Sequence, residues 1–378
     1  MKVVCRTDAS HTIGHGHVIR CLTLAAELRD RGATVSFICR EHDGNLCDLI
    51  EDRGFAVGRL PVSGSEEVDA GTVHGAWLGD SVASDVRQST AAIASSRGRL
   101  DWLVVDHYSL DVRWEIAMRA AAARMMVIDD LADRRHDCNL LLDQNLVRNM
   151  STRYAGKVPA MCDVMLGPEY ALLQPIYAEL HARMSPRTGP VTRLFIFFGA
   201  ADRENLTGRA IAAFQRLQRP DVQVDVVISS GSRHESSLRR QIAGHPNIHV
   251  NVGLPSLAPL LAEADLAIGA GGATAWERLC LGVPTLVVTL AENQRPVTEN
   301  LHALGLVQWL GHQDAVDETQ FSGALTRALE MTSLAEWSDR CLRACSGRGV
   351  FLVADRMAQS PHDPSPHHSG ALPLAAES

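Results

Sequence analysis

The sequence predicts an α/β protein made of two tandem, doubly wound parallel sheets that share one ligand cleft. In the first half of the chain, β-rich runs alternate with helical stretches, which is typical of a parallel sheet. A second alternating series follows the polar, Pro- and Gly-containing stretch 183–193. We therefore predict an N-terminal Rossmann-like domain over residues 1–182, a linker over 183–193, a C-terminal domain over 194–359 and a disordered tail over 360–378. Because ligands of open α/β sheets bind beyond the carboxyl ends of the strands, the active site is expected in the interdomain cleft.

The N-terminal half begins with a strand, a glycine loop and a helix. The β-rich run Lys2 to Arg6 is the strand, and apolar residues recur at helical spacing from Val18 until Gly32 ends the pattern. Further β-rich runs lie at 34–39, 102–106, 125–129 and 140–143, with helical stretches at 45–53 and 111–122. In the second half the β-rich runs lie at 194–198, 222–228, 248–252, 266–269 and 285–290. Each half therefore has enough alternating segments for a parallel sheet of its own.

Composition and charge exclude several classes of function. The 378 residues are 46% hydrophobic and 21% charged, as in globular proteins, and the net charge of −8 lacks the basic surface that nucleic acids need. The nine cysteines form no C-x-x-C pair and lie mostly in apolar runs, which favours buried thiols in a reducing cytoplasm. No signal-peptide h-region is found, nor any run near the roughly 20 apolar residues of a membrane span. We therefore expect a cytoplasmic protein that binds neither nucleic acid nor a membrane.

The first glycine loop is the strongest candidate for the catalytic centre. Gly14 and Gly16 allow the backbone to approach a ligand closely, and they leave His15, His17 and the first helical N–H groups facing it. Such a loop can hold an anion or a water molecule, and an imidazole can accept a proton from water near neutral pH. The alternative for His17 is a capping or packing role, and His15 has the same backbone setting.

A second glycine-rich run, residues 269–274, joins a strand to a helix and is a candidate diphosphate site. Glycines permit close backbone approach, and free N–H groups at a helix start attract negative charge. The run is neither a P-loop nor a complete G-x-G-x-x-G motif, and its alternative is a tight strand-to-helix turn. Glu277, one turn into the helix, could accept hydrogen bonds from a ribose diol or could be a solvated helix charge.

Acidic residues follow three strands on the side expected to face the cleft. Asp8 could orient an imidazole or cap a turn. Residues 106–108, Asp-His-Tyr, could contact a ligand, although capping of the next helix also explains the aspartate. Asp129 and Asp130 occupy the same position on the next strand, where paired acids could bind a metal ion or act together on a sugar. We favour neither role for the pair and predict no metal site.

An ordered set of motifs extends over about residues 1 to 310. Its members are Arg6-x-Asp8-x-Ser10-x-x-Ile13-Gly14-x-Gly16-His17-Val18-x-Arg20 with the following residues to 25, and residues 104–108, 127–132, 142–145, 166–173 and 269–277. Together they resemble the UDP-sugar hydrolases of pseudaminic acid biosynthesis, the PseG family. That family is similar to GT-B glycosyltransferases, especially the GlcNAc transferase of peptidoglycan synthesis, but transfers the sugar to water. The resemblance implies a GT-B-like fold and hydrolysis of UDP-2,4-diacetamido-2,4,6-trideoxy-β-L-altrose, with inversion, on the way to a nonulosonic acid.

The resemblance also implies roles for individual residues. His17 would be the base that activates water for attack on the anomeric carbon. In the N-terminal domain, substrate contacts are expected from Asp8, Gly14, Gly16, Arg20, Asp106, His107 and Tyr108. In the C-terminal domain, Gly271, Gly272, Ala273 and Thr274 would lie at the diphosphate, Glu277 at the ribose, Leu254 near uracil, and Asn293 and Gln294 near the sugar or phosphate. The implied scheme needs no metal or other cofactor, and we expect a monomer whose partners are the UDP-sugar and UDP.

Two departures from the family pattern and three alternatives stay open. His15 stands where the family usually has a small or unrelated residue, and Phe198 to Asp202 replaces what is more often a Gly-Gly pair.

A true GT-B glycosyltransferase would use His17 on an acceptor hydroxyl, although no exposed apolar or basic stretch suits a lipid-linked acceptor. A non-catalytic nucleotide-sugar binding protein would not need the retained histidine. An NAD-dependent enzyme is disfavoured because neither half has a complete dinucleotide fingerprint.

Overall fold

The computed structural model describes residues 1–63, 74–94, 98–199 and 202–359. They form two all-parallel sheets, the first with seven strands and the second with six. The first sheet contains β1 (Lys2–Thr7), β2 (Thr34–Arg40), β3 (Ala56–Leu60), β4 (Leu100–Asp106), β5 (Ala122–Ile128), β6 (Leu140–Asp143) and β7 (Asp163–Leu166), in the order β3-β2-β1-β4-β5-β6-β7. The second contains β8 (Arg193–Phe197), β9 (Gln223–Ile228), β10 (Ile248–Val252), β11 (Leu266–Ala270), β12 (Thr285–Thr289) and β13 (Gln308–His312), in the order β10-β9-β8-β11-β12-β13.

Helices cover both faces of each sheet, as expected for parallel strands. Those of the first part are α1 (Gly16–Asp30), α2 (Cys47–Asp52), α3 (Val82–Ala94), α4 (Val112–Met118) and α5 (Pro175–His181). Those of the second part are α6 (Leu206–Arg216), α7 (Glu235–Gln241), α8 (Ala258–Glu263), α9 (Thr274–Cys280), α10 (Arg295–Ala303), α11 (Glu318–Leu329), α12 (Ala335–Ala344) and α13 (Gly349–Ala358). Short 3₁₀ turns occur at Gly75–Leu78, Arg119–Ala121, Met150–Thr152, Pro168–Tyr170 and Glu292–Gln294.

The central strands and one edge strand, β10, coincide with the β-rich runs of the sequence, whereas the other three edge strands, β3, β7 and β13, were not predicted. Central strands such as β11 and β12 are buried at every position, so they appear as continuous apolar runs. β7 has one buried residue of four and β13 one of five, because an edge strand has a neighbour on one side only. Their sequences therefore lack the apolar signal that indicates a strand.

The last helix packs on the N-terminal sheet and not on the domain in which the sequence analysis placed it. Val350, Val353, Ala354 and Met357 of α13 are fully buried in the same core as α1. The Trp102 indole N–H also donates to the backbone oxygen of Met357 at 3.0 Å. Full burial of each valine or methionine side chain contributes about 1.5–3 kcal/mol, so α13 is firmly held in the core that also contains α1. The boundaries at 182, 193 and 359 stay predictions, with α13 assigned to the N-terminal side.

The predicted disordered tail, residues 360–378, lies outside the described residues. Within the described ranges, no helix combines the length and the apolar character needed to cross a membrane. All nine cysteines are free thiols, and all but the half-buried Cys162 are buried.

Candidate active site between the two sheets

The carboxyl ends of strands from both sheets border one cavity of about 250 Å³. The N-terminal side contributes the loop before α1, the first turns of α1 and the residues that follow β4, β5 and β6. The C-terminal side contributes the glycine loop after β11 and the segment after β12. The lining residues are Ile13, Gly14, Gly16, His17, Arg20, Trp77, Tyr108, Asp130, Gln144, Asn145, Gly271, Gly272, Ala273, Trp276, Asn293, Gln294 and Val297.

His17 sits in the first turn of α1 and is held by a buried carboxylate. Its Nδ1 lies 2.6 Å from Oδ1 of Asp106, at the end of β4, while Arg20 donates two hydrogen bonds of 2.6 Å to the same carboxylate. Although burial works to raise the pKa of Asp106, the charges of Arg20 and His17 hold it well below its usual range. Asp106 is therefore a permanent anion that can orient an imidazole and stabilise its protonated form.

A second carboxylate, Asp130, completes a polar wall beside the histidine. Arg20 approaches Oδ2 of Asp130 at 2.7 Å, and the Tyr108 hydroxyl donates to the same oxygen at 2.7 Å. The Tyr108 ring meets the His17 ring edge to face, with 4.6 Å between centroids. Because each of these groups holds another, the wall positions the His17 ring before any ligand arrives.

Asp8 and His107 do not reach the cavity, although the sequence analysis expected substrate contacts from both. Asp8 is fully buried, bonds Arg6 at 2.6 Å, and lies 3.1 Å from Nε2 of His107. Burial lowers the pKa of His107, and its Nδ1 accepts from the Ser109 backbone N–H at 3.0 Å. These residues form a charge cluster beneath the strand ends. Asp106 likewise lies behind His17 and does not line the cavity.

His15 is separated from His17 by the direction of the loop. It borders another cavity, of about 170 Å³, together with His11, Arg203, Arg233 and His234. Gly14, directly before His15, has a positive φ of 83°, which glycine adopts without strain. The side chains of His15 and His17 thus border different cavities, although only Gly16 separates them in the chain.

The side chains of Asp129 and Asp130 also lie in different surroundings, and only Asp130 lines the cavity, so they do not act as a pair. Asp129 is fully buried, lies 3.0 Å from Arg134, and accepts from the Tyr154 hydroxyl at 2.9 Å. In the described parts of the chain, no three or more His, Cys, Asp or Glu side chains are grouped so as to hold a metal ion.

The second glycine loop faces His17 from across the cavity. Gly271, Gly272 and Ala273 line the wall, and a Cβ on Gly271 would overlap the Thr298 hydroxyl. Only glycine therefore allows this backbone to lie against α10. Asn293 and Gln294 border the same wall, and Gln294 uses its carbonyl oxygen to accept from the Leu290 backbone N–H at 2.8 Å.

Arg278, which the sequence analysis missed, is buried directly beneath this loop. It is 1% exposed, donates to the backbone oxygen of Ala270 at 2.6 Å and lies 3.3 Å from the Thr274 hydroxyl. Among the described residues it makes no ion pair, and burial lowers its pKa to about 10 despite the neighbouring Glu277. A buried cation without a bonded anion is costly, so the loop carries positive charge that a bound anion would compensate.

Glu277, Thr274 and Leu254 lie outside the cavity lining. The Oε2 atom of Glu277 is buried, and neither it nor the neighbouring Tyr177 hydroxyl makes a well-aligned hydrogen bond. Burial raises the pKa of Glu277 to about 7, against the lowering effects of Tyr177 and Arg278. Leu254 is half-buried against the apolar core on this side of the second sheet.

Other residues of the cavity wall to which the sequence assigned no role are Trp77, Gln144, Asn145 and Trp276, while Asp130, expected on the cleft side, lines the wall as well. Gln144 and Asn145 directly follow β6, so the rule that ligands bind at strand ends could have found them. Nothing in the sequence places Trp77 there, because it comes from a 3₁₀ turn outside the strand pattern.

This architecture is that of the GT-B class, in which two Rossmann-like sheets face each other across a cleft. Comparisons with known proteins agree. The Acinetobacter baumannii MurG structure superimposes with a TM-score of 0.65 at 15% identity, covering 94% of this chain and 99% of MurG. Medicago truncatula UGT71G1, complexed with UDP-glucose, superimposes with a TM-score of 0.60 at 12% identity, covering 94% of this chain and 98% of that enzyme. The predicted GT-B-like fold is confirmed.

Sequence comparison makes the relationship more specific. Residues 193–330 match the model of the glycosyltransferase family 28 C-terminal domain. The chain is 24% identical over 294 residues to the UDP-2,4-diacetamido-2,4,6-trideoxy-beta-L-altropyranose hydrolase of Campylobacter jejuni, covering 78% of this chain and 93% of that enzyme. The resemblance seen in the motifs is therefore confirmed, and it supports an enzyme with a glycosyltransferase-like fold.

Proposed function

We propose that this protein hydrolyses UDP-2,4-diacetamido-2,4,6-trideoxy-β-L-altrose to UDP and the free sugar, with inversion at the anomeric carbon. The observation that carries the proposal is the His17–Asp106 pair at the cavity, opposite a glycine loop with a buried cation beneath it. The similarity to the Campylobacter jejuni hydrolase supplies the substrate.

In the proposed reaction, Nε2 of His17 accepts a proton from a water molecule while the water oxygen attacks the anomeric carbon. The bond from that carbon to the β-phosphate oxygen breaks, and its electron pair leaves with UDP. Asp106 keeps the proton of His17 on Nδ1 and stabilises the imidazolium that forms. Water and sugar held in line supply the positional part of the rate enhancement.

The leaving diphosphate needs stabilisation as its negative charge grows. We assign this to backbone N–H groups of Gly272, Ala273 and Thr274, with Arg278 behind them, because preorganised donors stabilise developing charge without reorganisation. Glu277 would accept hydrogen bonds from the ribose, Leu254 would lie near uracil, and Asn293 and Gln294 would approach the sugar. In this scheme catalysis requires neither a metal ion nor another cofactor.

The second candidate is a GT-B glycosyltransferase, since the same base could deprotonate an acceptor hydroxyl. A non-catalytic nucleotide-sugar binding protein is the third, but it gives no reason for a histidine held by a buried carboxylate. Monomeric state and cytoplasmic location stay predictions from the sequence.

The test is proton NMR of the purified protein with the diacetamido substrate in EDTA, following the anomeric signals and UDP release. His17→Ala and UDP-GlcNAc serve as controls. We expect rapid UDP release with an initially inverted free sugar, and loss of both in the variant. Tight UDP binding without turnover until an acceptor is added would instead establish the transferase.

A further inference from the structure

Two amide side chains stand next to each other on the cavity wall directly after β6. Gln144 and Asn145 both line the cavity that holds His17 on one side and the glycine loop on the other. An amide can present either its N–H₂ donor or its carbonyl acceptor, and the surrounding hydrogen bonds decide which end is available.

The carbonyl end of Gln144 is already used. Its Oε1 accepts from the backbone N–H of Leu172 at 3.2 Å, so Nε2 is the end left for a ligand. The side chain is only 4% exposed, which restricts it to this orientation. Among the described residues Nε2 has no hydrogen-bond partner, and Gln144 therefore presents a donor to the cavity.

Asn145 has the opposite orientation. Its Nδ2 donates to Oδ1 of Asp130 at 2.9 Å. Because Arg20 and the Tyr108 hydroxyl already hold the other oxygen of Asp130, that carboxylate is fixed and acts as an acceptor. The amide of Asn145 must turn its N–H₂ toward it, and Oδ1 remains as an acceptor for a ligand.

One donor beside one acceptor is the complement of a secondary amide. We propose that Gln144 and Asn145 form a subsite for one acetamido group of the sugar, with Gln144 Nε2 donating to the acetamido oxygen and Asn145 Oδ1 accepting from its N–H. A hydroxyl in place of the acetamido group leaves part of this pair unsatisfied, so the subsite selects N-acetylated sugars. This assignment rests on the proposed function and explains how the cleft recognises its substrate.

The experiment combines protein variants with substrate analogues. Gln144→Glu keeps an acceptor for the Leu172 N–H but turns the cavity-facing donor into an acceptor, and Asn145→Ala removes the other half of the subsite. Each variant is assayed with the diacetamido substrate and with two analogues in which one acetamido group is replaced by a hydroxyl. Gln223→Glu, at the exposed start of β9, adds the same charge as a control.

We expect Gln144→Glu to lower kcat/KM for the diacetamido substrate by about 10- to 100-fold, the range for a buried hydrogen bond turned unfavourable. With one of the two analogues, the kcat/KM of each variant should be only a few-fold below that of the wild type, and this analogue should be the same one for both variants. The UDP affinity and the Tm of the variants should equal those of the Gln223→Glu control. Three results would overturn the subsite. The first is an equal loss of kcat/KM with all three substrates, the second is that the two variants respond to different acetamido groups, and the third is unchanged kinetics.

The reaction and the subsite can be tested separately. No turnover of the diacetamido substrate by the wild-type protein would overturn the proposed function, and the subsite with it. Turnover by the wild type that neither variant alters would overturn the subsite alone. If Gln144→Glu does not fold, Asn145→Ala alone tests the subsite. Its loss of kcat/KM should then shrink with one of the two analogues only, and an equal loss with both analogues would overturn the subsite.

Discussion

Nδ1 of His17 lies 2.6 Å from Oδ1 of Asp106, and both groups are buried at the place where α1 meets the end of β4. The arrangement makes the histidine and the aspartate one functional unit. Because Nδ1 of His17 faces Asp106, Nε2 of His17 is left for the water molecule that the proposed hydrolysis requires.

Asp106→Asn should lower kcat by roughly 100-fold or more, because the amide no longer stabilises the imidazolium. UDP affinity, measured by calorimetry, should change little, since Asp106 does not line the cavity. His17→Gln should have a similar effect, and the double variant should lose little beyond either single one. Fully multiplicative losses would show that the residues act independently.

Arg278→Met should weaken UDP binding by about 10-fold or more and leave uridine binding unchanged, because only UDP carries the diphosphate that compensates the buried cation. The ligand-free variant should melt at the same temperature as the wild type or higher, since a costly buried charge is gone. Arg278→Lys should recover part of the UDP affinity. Equal loss of UDP and uridine binding would indicate a purely structural role.

Glu277 should make UDP binding depend on pH. Burial raises its pKa to about 7, so the carboxyl is protonated below that pH and ionised above it. Ribose hydroxyls donate more strongly to the ionised form, and UDP affinity should therefore increase several-fold from pH 6 to pH 8. Glu277→Gln measures the part of this dependence that comes from titration of UDP itself. Identical pH profiles for the variant and the wild type would contradict the ribose assignment.

His136 should make stability decrease at alkaline pH. Although burial lowers its pKa, the hydrogen bond between its Nδ1 and the Glu115 carboxylate at 2.7 Å and the nearby charge of Asp129, 3.8 Å from its Nε2, raise it to about 9, above the ordinary value of 6.5. The protonated His136 therefore stabilises the folded protein fully below pH 6.5, and this contribution to the free energy of unfolding is lost as the pH rises through 9. Over this range, the advantage of the wild type over His136→Gln in free energy of unfolding should fall by about 3 kcal/mol.

Urea unfolding of both proteins at pH 6.5 and pH 9.5 measures that difference. His245→Gln is the matched control, because His245 is exposed and makes no ion pair in the described part of the chain. A constant difference between wild type and His136→Gln at both pH values would show that His136 is not charged in the folded protein.

Local sequence patterns determined much of the fold and part of the candidate site. Continuous apolar runs identified the central strands because parallel strands are buried on both faces. The glycines before α1 and after β11 identified both loops that border the cavity, since close approach and positive φ require glycine. His17 could be found for the same reason, as a polar side chain at the start of a helix after such a loop.

Only the tertiary structure decided which residues meet. Asp106 is 89 positions from His17, and the parallel pairing of β1 with β4 brings them together. The same packing placed Asp8 and His107 beneath the site, separated His15 from His17, and buried Arg278 under the glycine loop. It also assigned α13 to the N-terminal core, although the helix follows the second sheet in the chain. Such contacts join distant segments whose pairing depends on strand order and side-chain shape, whereas helix and strand periodicity depends on near neighbours alone.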